Sequence, residues 1–234
     1  MERLNEYFTQ KRVNKILDIG TGTGEFIFVL KDIFPDAEII GIDPYVDSLK
    51  DADEKFPDVQ FKEMAAENLH FDDNRFDLVS MSMALHHLPE VERSFSEMQR
   101  VVKPHGWIII NELFSDNLSK AQEVHKMYHH FRSRIDRILG RSHNKAFRKN
   151  EILHFVERSG IKILFHFEHH KNENLIKSEA DLIMRVEKMK QMLDEIKNYP
   201  EYDELKPQIA DFIKRTSEFG FEMATRVVIV GQVE

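Results

Sequence analysis

The sequence predicts a doubly wound α/β fold with a mostly parallel sheet. Short apolar runs typical of buried strands recur through the first 114 residues, and amphipathic segments typical of helices separate most of them, at 25–34, 46–56 and 90–102. Strands that alternate with single helices form βαβ crossovers, and therefore parallel pairs. The predicted strands are 15–20, 37–43, 59–64, 75–83 and 107–114.

The second half predicts two further strands, at 161–170 and 221–233, and two helical inserts. The first insert, at about 116–147, contains a helix over 118–140, and a helix over 148–160 then ends at Gly160. In the second insert, 172–219, we expect Pro200 to separate two helices. Each insert has an apolar stripe at helical spacing. The stripe of the first insert consists of Ala121, Val124, Tyr128, Phe131, Ile135 and Ile138, and that of the second consists of Leu182, Val186, Met189, Leu193 and Ile196.

Length and composition predict one globular domain over residues 1–234. The chain is 41% hydrophobic with a net charge of −8, which disfavours a polyphosphate partner. It has no cysteine, so disulfides, thiolate metal sites and cysteine nucleophiles are excluded. No apolar run is long enough to span a bilayer, and the charged first twelve residues lack a signal-peptide core. We therefore expect a cytoplasmic protein.

The segment "ILDIGTGTG" follows the first predicted strand and precedes a helix. Its spacing places Asp18, Gly20, Gly22 and Gly24 two residues apart, which fits neither a dinucleotide fingerprint nor a nucleoside-triphosphate loop, because Glu25 stands where a third glycine is needed and no lysine follows. Glycines let a ligand approach the backbone closely. An acid at the strand end favours an ammonium group over a phosphate.

This segment resembles motif I of the class I S-adenosylmethionine-dependent methyltransferases, in particular the small-molecule (type 11, ubiquinone/menaquinone-biosynthesis-like) branch. Four further segments match that family in the right order over residues 12–114: "IIGIDPY", "AAENLHF", "FDLVSMSMALHHL" and "EMQRVVKPHGWIII". The resemblance implies a Rossmann-like seven-stranded sheet in the order 3-2-1-4-5-7-6 with an antiparallel seventh strand. It also implies S-adenosylmethionine as cofactor and S-adenosylhomocysteine as product.

The resemblance further implies where the cofactor binds. Asp18 would assist the ammonium together with the Met81 carbonyl, Asp43 would hold the ribose, and the adenine would lie on Pro44. Many relatives have Asp in place of Ala65, so the contact to the adenine amine would come from elsewhere, such as Glu67, or be missing. The predicted cofactor-binding residues are Asp18, Gly20, Thr21, Gly22, Asp43, Pro44, Ala65, Ala66, Glu67 and Met81.

His86 and His87 follow the fourth predicted strand and are the candidate acid–base residues, with packing or helix capping as the alternative for each. We expect the first insert to cover a substrate pocket that includes Tyr7, His125 and Tyr128, and the second to form a lid or a dimer contact. His125 and His129 have metal-ligand spacing, near His143, but the pattern favours ordinary boundary histidines, and we expect no metal.

The predicted function is S-adenosylmethionine-dependent methylation of a small-molecule acceptor by in-line transfer, in a monomer or homodimer that does not insert into membranes. Two alternatives stay open: a tRNA or protein methyltransferase, and a cofactor-binding regulatory subunit without transfer activity. A basic patch supports the first alternative, although a solvated helix face is the simpler interpretation. That patch consists of Arg132, Arg134, Arg137, Arg141, Lys145, Arg148 and Lys149.

Overall fold

The computed structural model describes residues 1–170 and 173–234 and contains a seven-stranded sheet in the order β3-β2-β1-β4-β5-β7-β6. The predicted strand order is confirmed. The strands are β1 (Lys15–Ile19), β2 (Glu38–Asp43), β3 (Gln60–Glu63), β4 (Phe76–Ser82), β5 (Val102–Leu113), β6 (Lys162–His169) and β7 (Arg226–Gln232).

The helices predicted at 25–34, 46–56, 90–102, 118–140 and 148–160 are present with shorter ends, whereas the helix over residues 2–8 was not predicted and two helices, not one, follow Pro200. They are α1 (Glu2–Phe8), α2 (Ile27–Ile33), α3 (Val46–Lys55), α4 (Val91–Val101), α5 (Lys120–Ile138), α6 (Lys149–Arg158), α7 (Glu179–Asp194), α8 (Glu201–Leu205) and α9 (Pro207–Phe219). A single 3₁₀ turn, Leu85–His87, follows β4. Pro200 stands at the N-terminal boundary of α8, as expected of a residue that cannot continue a helix.

Strand β1 lies at the centre of the sheet and pairs in parallel with both β2 and β4. The chain therefore reverses its winding direction beside β1, and ligands of open α/β sheets bind at the carboxyl ends of strands at such a point. The last strand runs the other way: His105 donates its backbone N–H to Val233, and Val233 donates to Gly106, so the end of β7 lies beside the start of β5. The predicted antiparallel seventh strand is confirmed.

The described residues form two compact units. The first unit contains 1–112, 150–169 and 227–234, and the second contains 113–149 and 170–226, apart from the two undescribed positions 171 and 172. The second unit thus combines the two predicted inserts, the second of which was predicted to begin at residue 172. That the whole chain acts as one domain stays a prediction.

The first unit has an apolar core on the sheet face that carries α1 and α2. Ile16, Leu78 and Ile109 project from the central strands into this core, where they meet Leu4 and Phe8 of α1. Residues 16–19 of β1 are all buried, as expected of a strand covered on both faces.

The second unit has a core of its own, in which the two predicted apolar stripes meet. Phe131 and Ile135 of α5 pack with Met189 and Leu193 of α7, and Phe212 of α9 joins them. Helices α5 and α7 each begin with a capping box, formed by Ser119 with Gln122 and by Ser178 with Asp181. Within the described ranges, no helix is long and apolar enough to cross a membrane.

Candidate cofactor and active site

The glycine turn after β1 takes a backbone shape that side chains would strain. Gly20 and Gly22 have φ angles of +65° and +53°. A Cβ on Gly20 would stand 2.4 Å from the Cβ of Ala84, whereas a Cβ on Gly22 would meet no atom of the described residues within 4 Å. Gly20 is thus needed for packing as well as conformation, and Gly22 faces open space.

Asp43, at the end of β2, is tied to this turn. Its Oδ2 accepts a hydrogen bond from the Gly22 N–H at 2.9 Å, and its Oδ1 accepts from the Tyr45 N–H at 2.9 Å. The side chain is only 7% exposed. Each carboxylate oxygen has a second lone pair, so Asp43 retains the capacity to accept two hydroxyl hydrogen bonds from a ligand.

Asp18, at the end of β1, is buried with one oxygen satisfied. Ser80 of β4 donates its hydroxyl to Oδ1 at 2.7 Å, while Oδ2 is buried and has no hydrogen-bond partner among the described residues. Burial disfavours the carboxylate and raises the pKa of Asp18 to about 6, against the lowering effect of the Ser80 hydrogen bond. A cationic ligand would stabilise this carboxylate.

A further buried oxygen accompanies that of Asp18. Glu67 Oε1 has no hydrogen-bond partner in the described part of the chain. Glu67 follows β3, and its predicted contact with the adenine amine stays a prediction. Ala65 is exposed and Ala66 is buried.

The remaining predicted cofactor residues lie on β2 and β4. Pro44 is exposed directly after Asp43. Met81 is buried in β4 between Ile19 of β1 and Ile110 of β5. The contacts that the resemblance implies for Pro44, Ala66 and Met81 stay predictions.

These residues fit S-adenosylmethionine by their donor and acceptor chemistry. A buried, unsatisfied carboxylate oxygen suits an ammonium, a second fixed carboxylate suits ribose hydroxyls, and the open space at Gly22 admits a ligand against the backbone. Two acids at the ends of β1 and β2 would repel a pyrophosphate instead.

His86 is paired with an acid that the sequence analysis did not identify. Its Nδ1 lies 2.9 Å from Oε1 of Glu112 near the end of β5, and the two side chains are 5% and 1% exposed. The neighbouring His87 is half-buried, and its ring centroid lies 4.3 Å from that of His86. Glu112 was hidden within the apolar run "WIIINELF", although an acid at the carboxyl end of a parallel strand is a usable signal.

The predicted pocket residues occupy separate surroundings. Tyr7 is packed in the first unit, 4.8 Å from the Phe165 ring between centroids. In the second unit, His125 accepts from the Ala224 N–H at 3.4 Å, and the ring of Tyr128 lies 5.8 Å from that of Phe221. Their role in substrate binding stays a prediction.

The basic patch of the first insert is partly neutralised. Arg134 makes a two-point ion pair with Glu204 at 2.7 and 2.5 Å, and Arg141 contacts Asp136 and Glu195. These contacts favour the interpretation of a solvated helix face over a nucleic-acid surface.

Comparisons with known proteins support the same class of enzyme. Residues 17–110 match the family described as "Methyltransferase domain". The chain is 29% identical over 180 residues to the demethylmenaquinone methyltransferase of Staphylococcus carnosus, covering 73% of each chain. It is 35% identical over 107 residues to the ubiquinone/menaquinone biosynthesis C-methyltransferase UbiE of Campylobacter jejuni, covering 44% of this chain and 46% of that one.

Two solved structures show the same fold at low identity. The YcgJ protein of Bacillus subtilis has a TM-score of 0.65 at 15% identity, covering 100% of this chain and 97% of that one. A methyltransferase of Methanosarcina mazei that depends on S-adenosylmethionine has a TM-score of 0.59 at 17% identity, covering 98% and 96%.

The sheet order, the glycine turn and the two acids define a Rossmann-like methyltransferase domain. Together with the match of residues 17–110 to the methyltransferase-domain family and the similarity to the two quinone-biosynthesis enzymes, these features support a class I S-adenosylmethionine-dependent methyltransferase.

Proposed function

We propose that this enzyme transfers a methyl group from S-adenosylmethionine to a small, hydroxyl-bearing aromatic acceptor of the quinol type. The observation that carries the cofactor part is the buried Asp18 carboxylate, whose Oδ2 is unsatisfied within the described structure beside the glycine turn. The acceptor class rests on the relatives, whose names state that they methylate demethylmenaquinone or act in ubiquinone and menaquinone biosynthesis.

Each cofactor residue has one task in this proposal. Asp18 holds the ammonium of the methionine moiety, and Gly22 admits that moiety against the backbone. Asp43, fixed by the Gly22 and Tyr45 N–H groups, accepts from the ribose hydroxyls. Glu67 Oε1 accepts from the adenine amine in place of the acid that many relatives have at position 65.

Bound S-adenosylmethionine supplies a methyl group on a positively charged sulfur, which keeps the electron pair of the broken carbon–sulfur bond. The protein then has to position the acceptor and take its proton, since proximity and orientation supply a large share of the acceleration. When Glu112 accepts the Nδ1 proton of His86, the imidazole is held in the tautomer whose Nε2 can act as the proton acceptor. The hydroxyl proton of the acceptor ends on that nitrogen, and the acceptor's electron pair forms the new bond to the methyl carbon.

The two alternatives predict different results with the same protein. A tRNA or protein methyltransferase would use the basic patch, but Arg134 and Arg141 of that patch are engaged by Glu204, Asp136 and Glu195. A regulatory subunit would bind the cofactor without turnover, and it has no need of a buried His–Glu pair. The His86–Glu112 contact therefore favours an enzyme.

The direct experiment incubates the protein with S-adenosylmethionine and a panel of hydroquinones that differ in ring size and side chain. S-adenosylhomocysteine and methylated product are quantified together by mass spectrometry. We expect both to appear in equal amounts with at least one hydroquinone and not with the matched dimethyl ethers. Methylation of tRNA or protein in preference to every hydroquinone would contradict the proposed acceptor class.

A further inference from the structure

The second unit holds a chain of three polar side chains, two buried histidines and a partly buried aspartate, that the proposed function does not use. His129 and Asp136 lie seven residues apart on α5, which places them on the same helix face two turns apart. His143, beyond the end of α5, folds back to both. Its Nδ1 lies 2.6 Å from Asp136 Oδ2, and its Nε2 lies 3.2 Å from Nε2 of His129.

The two imidazoles have the separation of a pair of metal ligands. Two nitrogens bound to a tetrahedral zinc ion at about 2.0–2.1 Å lie about 3.3 Å apart, close to the 3.2 Å observed here. The ring centroids are 4.9 Å apart. Two rings that pointed straight at each other with the same nitrogen separation would have centroids farther apart. The axes of the two rings are therefore inclined, as they are when both rings face one ion.

Asp136 provides the support that metal-binding histidines require. A carboxylate that accepts the Nδ1 proton of a histidine fixes the tautomer in which Nε2 carries the lone pair that can bind a metal. Asp136 is itself held in place, because its Oδ1 accepts a hydrogen bond from Arg141 at 3.1 Å. The imidazoles of His129 and His143 are 8% and 2% exposed, so few waters compete for them.

We propose that His129 and His143 bind a divalent transition-metal ion such as Zn²⁺ through their Nε2 atoms, with Asp136 orienting His143. Without metal, one imidazole donates to the other. On binding, the proton on His129 moves to Nδ1, and both Nε2 lone pairs face the ion. This proposal replaces the sequence-based expectation of no metal, and it pairs His129 with His143, not with His125.

The charges around the two histidines affect the affinity for a metal ion. Arg141 and Arg132 lie 3.1 and 3.7 Å from the Asp136 carboxylate, and Arg137 donates to the His143 carbonyl. These cations weaken binding of a bare ion, so an oxygen ligand with negative charge in a remaining coordination position would strengthen it. Imidazole nitrogen suits zinc, copper, iron and nickel better than magnesium or calcium.

The test is calorimetric titration of the chelator-treated full chain with Zn²⁺, repeated with Co²⁺ while its visible absorption is recorded. We expect one ion per chain and the strong absorption of a tetrahedral Co²⁺ site. His129→Gln and His143→Gln should each weaken binding at least tenfold. Asp136→Asn, which keeps an acceptor for His143, should weaken it roughly 10- to 100-fold.

His125→Gln and His130→Gln on the same helix are the matched controls and should bind Zn²⁺ as the wild type does. Thermal unfolding without metal shows that each variant is folded. The proposal is overturned if the wild type binds no Zn²⁺, if both His129→Gln and His143→Gln bind it unchanged, or if a control variant loses binding as they do. Titration of the same proteins with S-adenosylmethionine tests the proposed function separately.

Discussion

The backbone N–H of Gly22 donates to Oδ2 of Asp43 at 2.9 Å, and this contact joins the glycine turn after β1 to the acid that ends β2. Two segments that bind different parts of the proposed cofactor are therefore fixed to one another. A ligand that reaches the Asp43 carboxylate also lies against Gly22, because both ends of the hydrogen bond face the same edge of the sheet.

The first prediction compares the two glycines. A left-handed backbone costs a residue other than glycine about 1–2 kcal/mol, so Gly20→Ala and Gly22→Ala should both be destabilised. Gly20→Ala also forces its Cβ against Ala84, so its loss of unfolding free energy should be the larger by at least about 1 kcal/mol. Gly22→Ala should instead lose S-adenosylmethionine affinity at least tenfold. Urea unfolding and calorimetry measure the two effects, and equal destabilisation would contradict the packing role of Gly20.

The second prediction follows from the buried Asp18. Its carboxyl has a pKa of about 6 in the folded chain and the ordinary 3.8 when unfolded, so the folded chain binds more protons between these values. The unfolding free energy contributed by Asp18 therefore falls as pH rises through this window and stays lower above it. Without cofactor, Asp18→Asn should be the more stable protein at pH 8, by up to about 3 kcal/mol, and should lose this advantage below pH 4.

The same substitution should weaken binding of S-adenosylmethionine at pH 8, since the neutral amide leaves the ammonium without a counter-charge. Affinity of the wild type should increase from pH 5 to pH 7 as Asp18 ionises, and the increase should be smaller in Asp18→Asn. Urea unfolding and calorimetry at four pH values give both results. An Asp18→Asn protein that is less stable than the wild type at pH 8 would show that the cost of burying the Asp18 carboxylate is smaller than the gain from its hydrogen bonds.

The third prediction concerns the His86–Glu112 pair. If Glu112 orients His86 as a base, His86→Gln and Glu112→Gln should both lower kcat by roughly 10²–10⁴-fold and leave the affinity for S-adenosylmethionine within a factor of three. His87→Gln, which changes the adjacent half-buried ring, is the matched control and should retain most activity. Steady-state kinetics and calorimetry check this. Equal losses in His86→Gln and His87→Gln would argue against a specific role for the pair.

The fourth prediction separates packing from substrate binding in the first insert. Phe131 is 1% exposed in the core of the second unit, so Phe131→Ala should cost about 3–5 kcal/mol of unfolding free energy. Tyr128→Phe and His125→Gln should cost less than about 1.5 kcal/mol and lower turnover with the cofactor affinity unchanged. If turnover is unchanged in both, the predicted pocket role of these residues is wrong.

The sequence was sufficient to predict the sheet because its strands are apolar runs bounded by clear turn signals, and the family resemblance supplied their order. The stripes of α5 and α7 were also predictable, since their spacing reflects the buried face that Phe131 and Met189 occupy. The last strand begins at Arg226, not 221, because Phe221 and Glu222 bond to Leu175 and Asn174 in the second unit. Local pattern cannot detect such a distant partner.

Side-chain pairs distant in sequence were the part that could not be predicted. Ser80 and Asp18 are 62 positions apart, and His86 and Glu112 are 26 apart. The spacing of residues along one helix or one strand cannot detect contacts over such separations. His143 meets His129 only because the chain turns back after α5. Helical spacing instead suggested the pair His125 and His129, but His125 accepts from Ala224.

The most direct measurement of the central claim is calorimetric binding of S-adenosylmethionine to the wild type, Asp43→Ala and Asp43→Asn. Loss of hydrogen bonds to a charged acceptor, each worth about 1.5–3 kcal/mol, should weaken binding at least tenfold in Asp43→Ala. Asp43→Asn retains an acceptor for Gly22 and should fall between the two. Unchanged affinity in Asp43→Ala, or tighter binding of NAD than of S-adenosylmethionine by the wild type, would contradict the account.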